Sequence, residues 1–158
     1  MQIHDRAARA LIAAAGAVGE SRWSEPVAPG KWSAAQILEH LLATYDVVLR
    51  ELAGGSGMRV RTPYWQQLLL RLAVAPRILR GRGFPRGAPA PRELRPGEGV
   101  ARQHGLALFE ERVRQFESAA TRASAGQRIT HAYFGKASVP TGVLLCARHI
   151  EHHTSQFR

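Results

Sequence analysis

Three of the seven histidines lie close together near the end of the chain, at His149, His152 and His153. Residues four apart share one face of an α-helix, so the imidazoles of His149 and His153 are expected to point the same way, beside the apolar Ile150. Two imidazoles at this spacing can bind one metal ion. They can equally be core histidines that hydrogen-bond to the backbone or to each other. The spacing by itself leaves both interpretations open.

A metal ion needs more ligands than one pair of imidazoles provides, so at least one must come from another helix. The best candidate is His40, although helix geometry places it about 110° from the middle of the apolar face of its helix. A position at the edge of that face can still be directed at a neighbouring helix in a bundle. His104 and His131 are the other candidates.

Two residues near these histidines can also take part in chemistry. Cys146 precedes His149 by one turn on the same face, so its thiol is a possible fourth ligand or redox-sensitive group. We favour a small core residue instead, because free cysteines are commonly buried. Glu39 points about 100° away from His40 along the helix. We therefore interpret Glu39 as a solvated surface residue rather than a general base.

Four amphipathic segments are expected to position these side chains. Apolar residues recur at helical spacing over about residues 3–18, 33–52, 99–123 and 138–158. Ser33 and Gln36 form a capping-box pattern at the start of the second segment, with Trp32 and Ile37 placed as a hydrophobic staple. No stretch shows sustained strand-like alternation. We predict an all-α four-helix bundle, one domain over residues 1–158, with either up-down-down-up or up-down-up-down topology.

The positive charge is concentrated in one segment. The 158 residues carry a net charge of +10, from 22 Lys and Arg against 12 Asp and Glu. Residues 59–95 hold nine arginines and one acid, Glu93, which leaves the rest of the chain nearly neutral. The same segment is rich in proline, which interrupts helices and strands. We predict an Arg/Pro-rich insert at about residues 54–98 between the second and third helices, with a short helix after Thr62 and Pro63.

The insert has three possible roles. In order of preference, it is a contact element for a second copy of the chain, a lid whose arginines receive an anionic substrate, or a patch for an anionic membrane or a nucleic acid. The apolar residues that favour a homodimer are Trp65, Leu68, Leu69 and Leu72.

Several classes of protein are disfavoured by the sequence. The single cysteine excludes a disulfide framework and a Cys-x-x-Cys site. No nucleic-acid-binding motif is recognisable, and no run of 18 apolar residues is present, so we expect neither a nucleic acid nor a membrane as partner. The first 18 residues weakly resemble a signal peptide, but a helix explains them better, and we expect a cytoplasmic location.

Three motifs resemble those of a known family. The stretch PGKWSAAQILEHLLATYD, residues 29–46, is similar to the first motif of the DinB/YfiT-like metalloenzymes. The stretch HIEHHTSQF, residues 149–157, is similar to their last-helix motif, and residues 130–135 are similar to a turn that precedes it. The resemblance covers about residues 1–52 and 99–158 and agrees with the predicted helical bundle.

This resemblance implies a metal site. The metal-binding histidines of the family fall on His40, His149 and His153. His152 and Gln156 then lie beside the ligands, where they line the pocket or orient a ring, although the chain ends soon after Gln156. His131, together with Tyr133, either reaches the mouth of the pocket or only packs in the turn.

The resemblance also implies a class of reaction. Three histidines leave a coordination position open, which is the pattern of catalytic rather than structural zinc sites. Relatives handle low-molecular-weight thiols, including bacillithiol and mycothiol, so the expected activity is a thiol transferase or hydrolase with Zn or Ni. One alternative is a non-catalytic bundle that binds a protein partner or polyanion through the insert. Another is a family member that has kept the metal but has no turnover.

Overall fold

Capping and apolar periodicity determine where the helices begin and which faces they bury. In the computed structural model, which describes residues 1–85 and 89–157, the capping box is formed: Gln36 N donates to Ser33 Oγ at 3.2 Å, and Ser33 N donates to Gln36 Oε1 at 3.1 Å. The α-helices and β-strands of the described residues are, in chain order, α1 (Gln2–Gly16), α2 (Ala34–Leu52), α3 (Tyr64–Ala73), α4 (Ala75–Leu79), α5 (Arg102–Arg122), β1 (Arg128–His131), β2 (Gly135–Ser138) and α6 (Val139–Thr154). Two short 3₁₀ helices lie at Glu20–Arg22 and Arg92–Leu94. The predicted helical fold is confirmed.

The helices α2 and α5 run in the same direction. At their starting ends, Val100 N donates to Ala35 O at 3.4 Å. At their far ends, Gln127 Nε2 donates to Leu52 O at 2.8 Å. The chain must therefore return along the length of α2 before α5 begins.

The helices α1 and α6 run opposite to α2 and α5. Arg102, at the start of α5, donates to Val18 O just beyond the end of α1 at 3.1 Å. Phe157, just beyond the end of α6, stacks against Trp23 with ring centroids 6.5 Å apart. The last residues of α1 and α6 are thus at the same end of the bundle. Of the two topologies left open by the sequence, the structure has up-down-down-up.

The core is formed between α1, α2, α5 and α6. The predicted apolar face of α2 is buried throughout, from Ile37 to Leu52. Along α5, Phe109 and Phe116 are fully buried. On α1 the buried stripe includes a polar residue, His4, which the apolar pattern did not predict.

A small hairpin precedes α6, where the sequence indicated no strand. The strands β1 and β2 pair antiparallel over four residues each, and Gly135 has φ +67°, which favours glycine. Strands of this length are too short for alternation to be distinguished from a turn. The hairpin is fixed to the end of α2, because Glu51 accepts hydrogen bonds from Thr130 N at 2.8 Å and from Thr130 Oγ1 at 2.5 Å.

Between α2 and α5, the chain crosses over the hairpin and the outer side of α6. Ile78 of α4 is buried against Phe134 and Leu145. Arg148 of α6 is partly covered by this crossing and donates to Leu79 O at 3.3 Å. Arg86, one of the nine arginines, lies outside the described residues. None of the helices in residues 1–85 and 89–157 combines the length and the hydropathy of a membrane-spanning segment.

The carboxylate of Glu51 is expected to stabilise the join between α2 and the hairpin. In a Glu51→Gln variant one acceptor oxygen is replaced by an amide donor, and one of the two Thr130 donors loses its partner. We expect the free energy of unfolding, measured in urea, to fall by about 1–3 kcal/mol. The control is Glu110→Gln on the exposed face of α5, which should change it by less than about 0.5 kcal/mol. Equal effects of the two substitutions would contradict this role.

Candidate metal centre

Three histidine rings converge between α2 and α6. The Nε2 atom of His149 lies 3.1 Å from Nε2 of His40 and 3.0 Å from Nε2 of His153. His40 and His153 are buried, with 3% and 5% of their surface exposed, whereas His149 is partly buried. The structure therefore brings together the three histidines that the sequence singled out.

The packing of α2 against α6 explains why His40 reaches the cluster. Its position at the edge of the apolar face of α2 is the side on which α6 lies. Trp32, which precedes the cap of α2, packs its ring 4.9 Å from that of His40 and 6.3 Å from that of His153. The indole thus supports two of the rings from the side.

Hydrogen bonds at the opposite ring nitrogens determine which nitrogen of each ring faces the centre. His40 Nδ1 donates to the carbonyl of Leu94 at 2.7 Å, so its Nε2 carries a lone pair. His153 Nδ1 donates to Gln156 Oε1 at 3.0 Å, which leaves its Nε2 in the same state. Such outer partners fix the tautomer and orientation of metal-binding histidines.

The three Nε2 atoms cannot satisfy one another by hydrogen bonding alone. His149 Nε2 carries at most one hydrogen and can donate it to only one of the two facing lone pairs. A cation at the centre removes this conflict. Zinc ligands at about 2.0–2.1 Å in a tetrahedral site lie about 3.3 Å from each other, close to the observed separations. The donor set therefore fits a divalent transition metal ion.

The electrostatic environment keeps the three rings neutral. Burial lowers the pKa of His40 and lowers that of His153 to about 3. The pKa of His149 lies well below its usual value, mainly through burial and then through the neighbouring His153 and His40. Neutral imidazoles are the metal-binding form, so no proton has to be displaced near pH 7.

A large cleft of about 1410 Å³ opens onto the cluster. Its walls come from α2, α6, the hairpin, the connector between α1 and α2, and the chain between α2 and α5. That connecting chain contributes Phe84, whose ring lies 5.7 Å from His149 and 5.5 Å from His152. A small molecule in the cleft can therefore approach the Nε2 atoms directly.

The residues predicted to lie beside the ligands are near the cluster. His152 lines the cleft, and its Nε2 lies 3.2 Å from the amide nitrogen of Gln156. The oxygen of the same Gln156 amide accepts a hydrogen bond from His153 Nδ1. Gln156 therefore orients the His153 ring even though the chain ends two residues later. His131 also lines the cleft, stacked on Phe134 at 4.4 Å, and its Nδ1 accepts from Tyr133 N.

Cys146 lies beside the cluster but outside it. Among residues 1–85 and 89–157, the group placed to hold a metal ion consists of His40, His149 and His153 alone. Burial raises the pKa of the Cys146 thiol to about 12, so the thiol is protonated at neutral pH. These features are those of a core cysteine.

Glu39 has a different role from the solvated one expected. Its Oε2 accepts hydrogen bonds from Gly97 N at 3.0 Å and Gly99 N at 2.9 Å. The carboxylate therefore holds the returning chain close to Leu94, which orients His40. The sequence pattern gave no indication of this, because the partners are backbone groups about 60 residues away.

The contacts of His4 were not predicted from the sequence either. This fully buried residue places Nδ1 2.9 Å from Glu117 Oε1 and Nε2 2.6 Å from Tyr45 Oη. Burial outweighs the nearby Glu117 carboxylate and lowers the pKa of His4. A single histidine on an alanine-rich helix gave no pairing signal. His104, one of the alternative ligand candidates, is exposed and outside the cluster.

The burial of His131 predicts a pH-dependent stability. Burial lowers its pKa to about 4, below the ordinary value of 6.5, so the folded state favours the neutral ring. The part of the folding stability that depends on the neutral His131 ring is fully present above pH 6.5. It is lost as the pH falls towards 4, because the unfolded chain binds the proton first. His131→Asn keeps an acceptor for Tyr133 N and removes the titration. We expect the slope of unfolding free energy against pH, measured in urea with a chelator present, to decrease by up to about 1.4 kcal/mol per pH unit near pH 5.

The control for this measurement is His104→Asn, which removes an exposed ring. It should leave the wild-type pH profile unchanged. If the pH profile of His131→Asn coincides with those of the wild type and of His104→Asn, the His131 ring does not contribute to the pH dependence of stability.

Comparison with known proteins identifies the family. No curated protein and no solved structure matches the chain. The family model of the DinB superfamily matches residues 3–157, a range that includes every element from α1 to α6 except Gln2, the first residue of α1, and all three converging histidines. The chain therefore belongs to the DinB superfamily, as its motifs around His40 and His149 indicated.

Proposed function

We propose that this protein is a divalent-metal-dependent enzyme of the thiol transferase or hydrolase type, with His40, His149 and His153 as the metal ligands. The observation that supports it best is the convergence of three Nε2 atoms at the base of a large cleft. Three protein ligands leave one position of a tetrahedral site for substrate or water, as in catalytic zinc sites. We propose Zn or Ni as the metal.

The donor set favours a thiol-bearing substrate. When bound, the metal ion supplies a Lewis acid that lowers the pKa of a thiol or of water. The three neutral imidazoles contribute no negative charge, so an anionic fourth ligand is favoured electrostatically. A thiolate is also a soft ligand suited to these metals. The protein's own thiol, on Cys146, is held protonated and does not compete.

The chain's residues position the substrate and exclude water. Trp32 and Phe84 place aromatic surface beside the histidines, which favours the apolar portion of a bound molecule. Gln156 and the carbonyl of Leu94 keep the ring nitrogens directed at the reacting group. We propose a cytoplasmic location as well, because small thiols are kept reduced there.

Removing one ligand should abolish tight metal binding. We expect untagged, metal-free protein to take up one equivalent of Zn or Ni in a calorimetric titration. Gln156→Leu should weaken binding by roughly 10–100-fold, and His149→Ala or His153→Ala by more, because a ligand is lost rather than its orienting partner.

Two matched variants serve as controls for metal binding. His104→Ala removes an exposed imidazole and should bind like the wild type. Cys146→Ser tests the alternative fourth ligand and should also retain full affinity. Uptake far below one equivalent by the wild-type protein would rule out the metal centre.

A spectroscopic probe tests the preference for thiols. We expect 2-mercaptoethanol, added to cobalt-substituted protein, to produce a near-ultraviolet sulfur-to-cobalt charge-transfer band, whereas ethylene glycol should not. The band should persist in Cys146→Ser, which excludes the protein's own sulfur, and be lost in His149→Ala. If cobalt binds and neither compound changes the spectrum, the thiol proposal fails while the metal centre remains.

A further inference from the structure

We propose that α3 is a docking element for an anionic membrane surface, on which the helix lies parallel to the lipid plane. The first observation is an exposed apolar face. Five large apolar side chains of α3 are 50–77% exposed: Tyr64, Trp65, Leu68, Leu69 and Leu72. No residue of α3 is buried. Exposed apolar patches of this kind mark interaction or membrane sites.

The five side chains form one face. At 100° per residue they occupy about 140° of the helix circumference. On the other side of the helix, Leu70 packs against the small core around Ile78. Leucines along the face and aromatic residues at one end are the arrangement of helices that lie in a membrane interface.

Specific hydrogen bonds hold α3 on the outside of the bundle. Arg71 donates to Phe134 O at 2.5 Å and to Lys136 O at 2.6 Å. Gln67 Nε2 donates to Thr62 O at 2.8 Å, and Thr62 Oγ1 in turn donates to Tyr133 O in the hairpin at 3.1 Å. The helix is thus fixed by its polar residues to the hairpin, which leaves the apolar face directed away from the protein.

The charge around α3 identifies the kind of surface. Residues 59–95 contain nine arginines and one acid, and Arg77, Arg80 and Arg82 follow α3 as exposed residues. In the described part of the chain, the one ion pair formed by these arginines joins Arg61 to Glu93. An apolar face accompanied by uncompensated arginines complements an anionic lipid surface.

A second copy of the chain fits this surface less well. A two-fold interface brings the same patch of both copies together. Here it would bring two arginine-rich segments into proximity, and like charges across an interface oppose association. The apolar residues alone favoured a second copy, and the lack of a long apolar run argued against a membrane partner. Exposure and charge together favour the lipid surface.

Vesicle partitioning tests the proposal on the full chain. We expect the protein to co-sediment with vesicles of mixed phosphatidylglycerol and phosphatidylcholine, and not with phosphatidylcholine alone. Leu68→Gln combined with Leu72→Gln should lower the partition coefficient by roughly tenfold or more. Replacing Arg77, Arg80 and Arg82 by Gln should lower it by roughly a hundredfold. Because metal binding plays no part in this assay, its failure would leave the metal centre unaffected.

Two control variants separate a local site from general effects. Val27→Gln changes an apolar side chain that is 57% exposed elsewhere on the surface and should bind as the wild type does. Replacing Arg9, Arg114 and Arg122 by Gln removes the same charge from other helices and should have a much smaller effect than the triple change near α3.

Three results would overturn the proposal. The first is absence of partitioning by the wild-type protein. The second is equal loss of binding in both arginine triple variants, which would indicate attraction by net charge alone. The third is a concentration-dependent dimer, seen by sedimentation velocity, that Leu68→Gln with Leu72→Gln abolishes while vesicles fail to bind. That result would assign the face to a second copy.

Discussion

The hydrogen bond from His40 Nδ1 to the carbonyl of Leu94 is the contact on which the histidine cluster depends. It determines that Nε2, rather than Nδ1, faces the other two rings. The carbonyl belongs to the chain returning from α3 and α4, and Glu39 holds that chain through the backbone of Gly97 and Gly99. A residue one position before His40 thus fixes the group that orients His40.

The topology explains why such a returning chain exists. Because α2 and α5 run in the same direction, the chain that joins them must span roughly the 28 Å length of a 19-residue helix. A short loop would produce an antiparallel neighbour instead. The crossing passes the hairpin and α6 on its way, and there it supplies Phe84 and Leu94 to the surroundings of the histidines. Parallel α2 and α5 therefore make the cleft and its wall possible.

Local patterns in the sequence predicted the helices and the pairing of His149 with His153, because capping, periodicity and i, i+4 spacing are local properties. His40 lies 109 residues before His149, and its choice over His104 and His131 depended on the family resemblance of its motif. The capping box at Ser33 and the buried face of α2 follow from residues close in the chain. The contacts of Glu39 and His4 join positions about 60 and 113 residues apart and have no local pattern. The relative directions of the helices were left open for the same reason, because the topology is set by contacts between helix ends that are distant in the chain.

The distribution of charge lets the molecule attract anions in two different ways. At the histidines, burial suppresses protonation, so positive charge would come only from a bound metal ion and would be compensated by an anionic ligand in the cleft. In the described parts of residues 59–95, the arginines are exposed, and a guanidinium group is a permanently charged group. The first arrangement selects a small anion by coordination, whereas the second attracts an extended anionic surface over a distance limited by salt screening. Since α3 and α4 carry a wall of the cleft on one side and the exposed face on the other, a surface bound at α3 would lie next to the entrance of the metal centre.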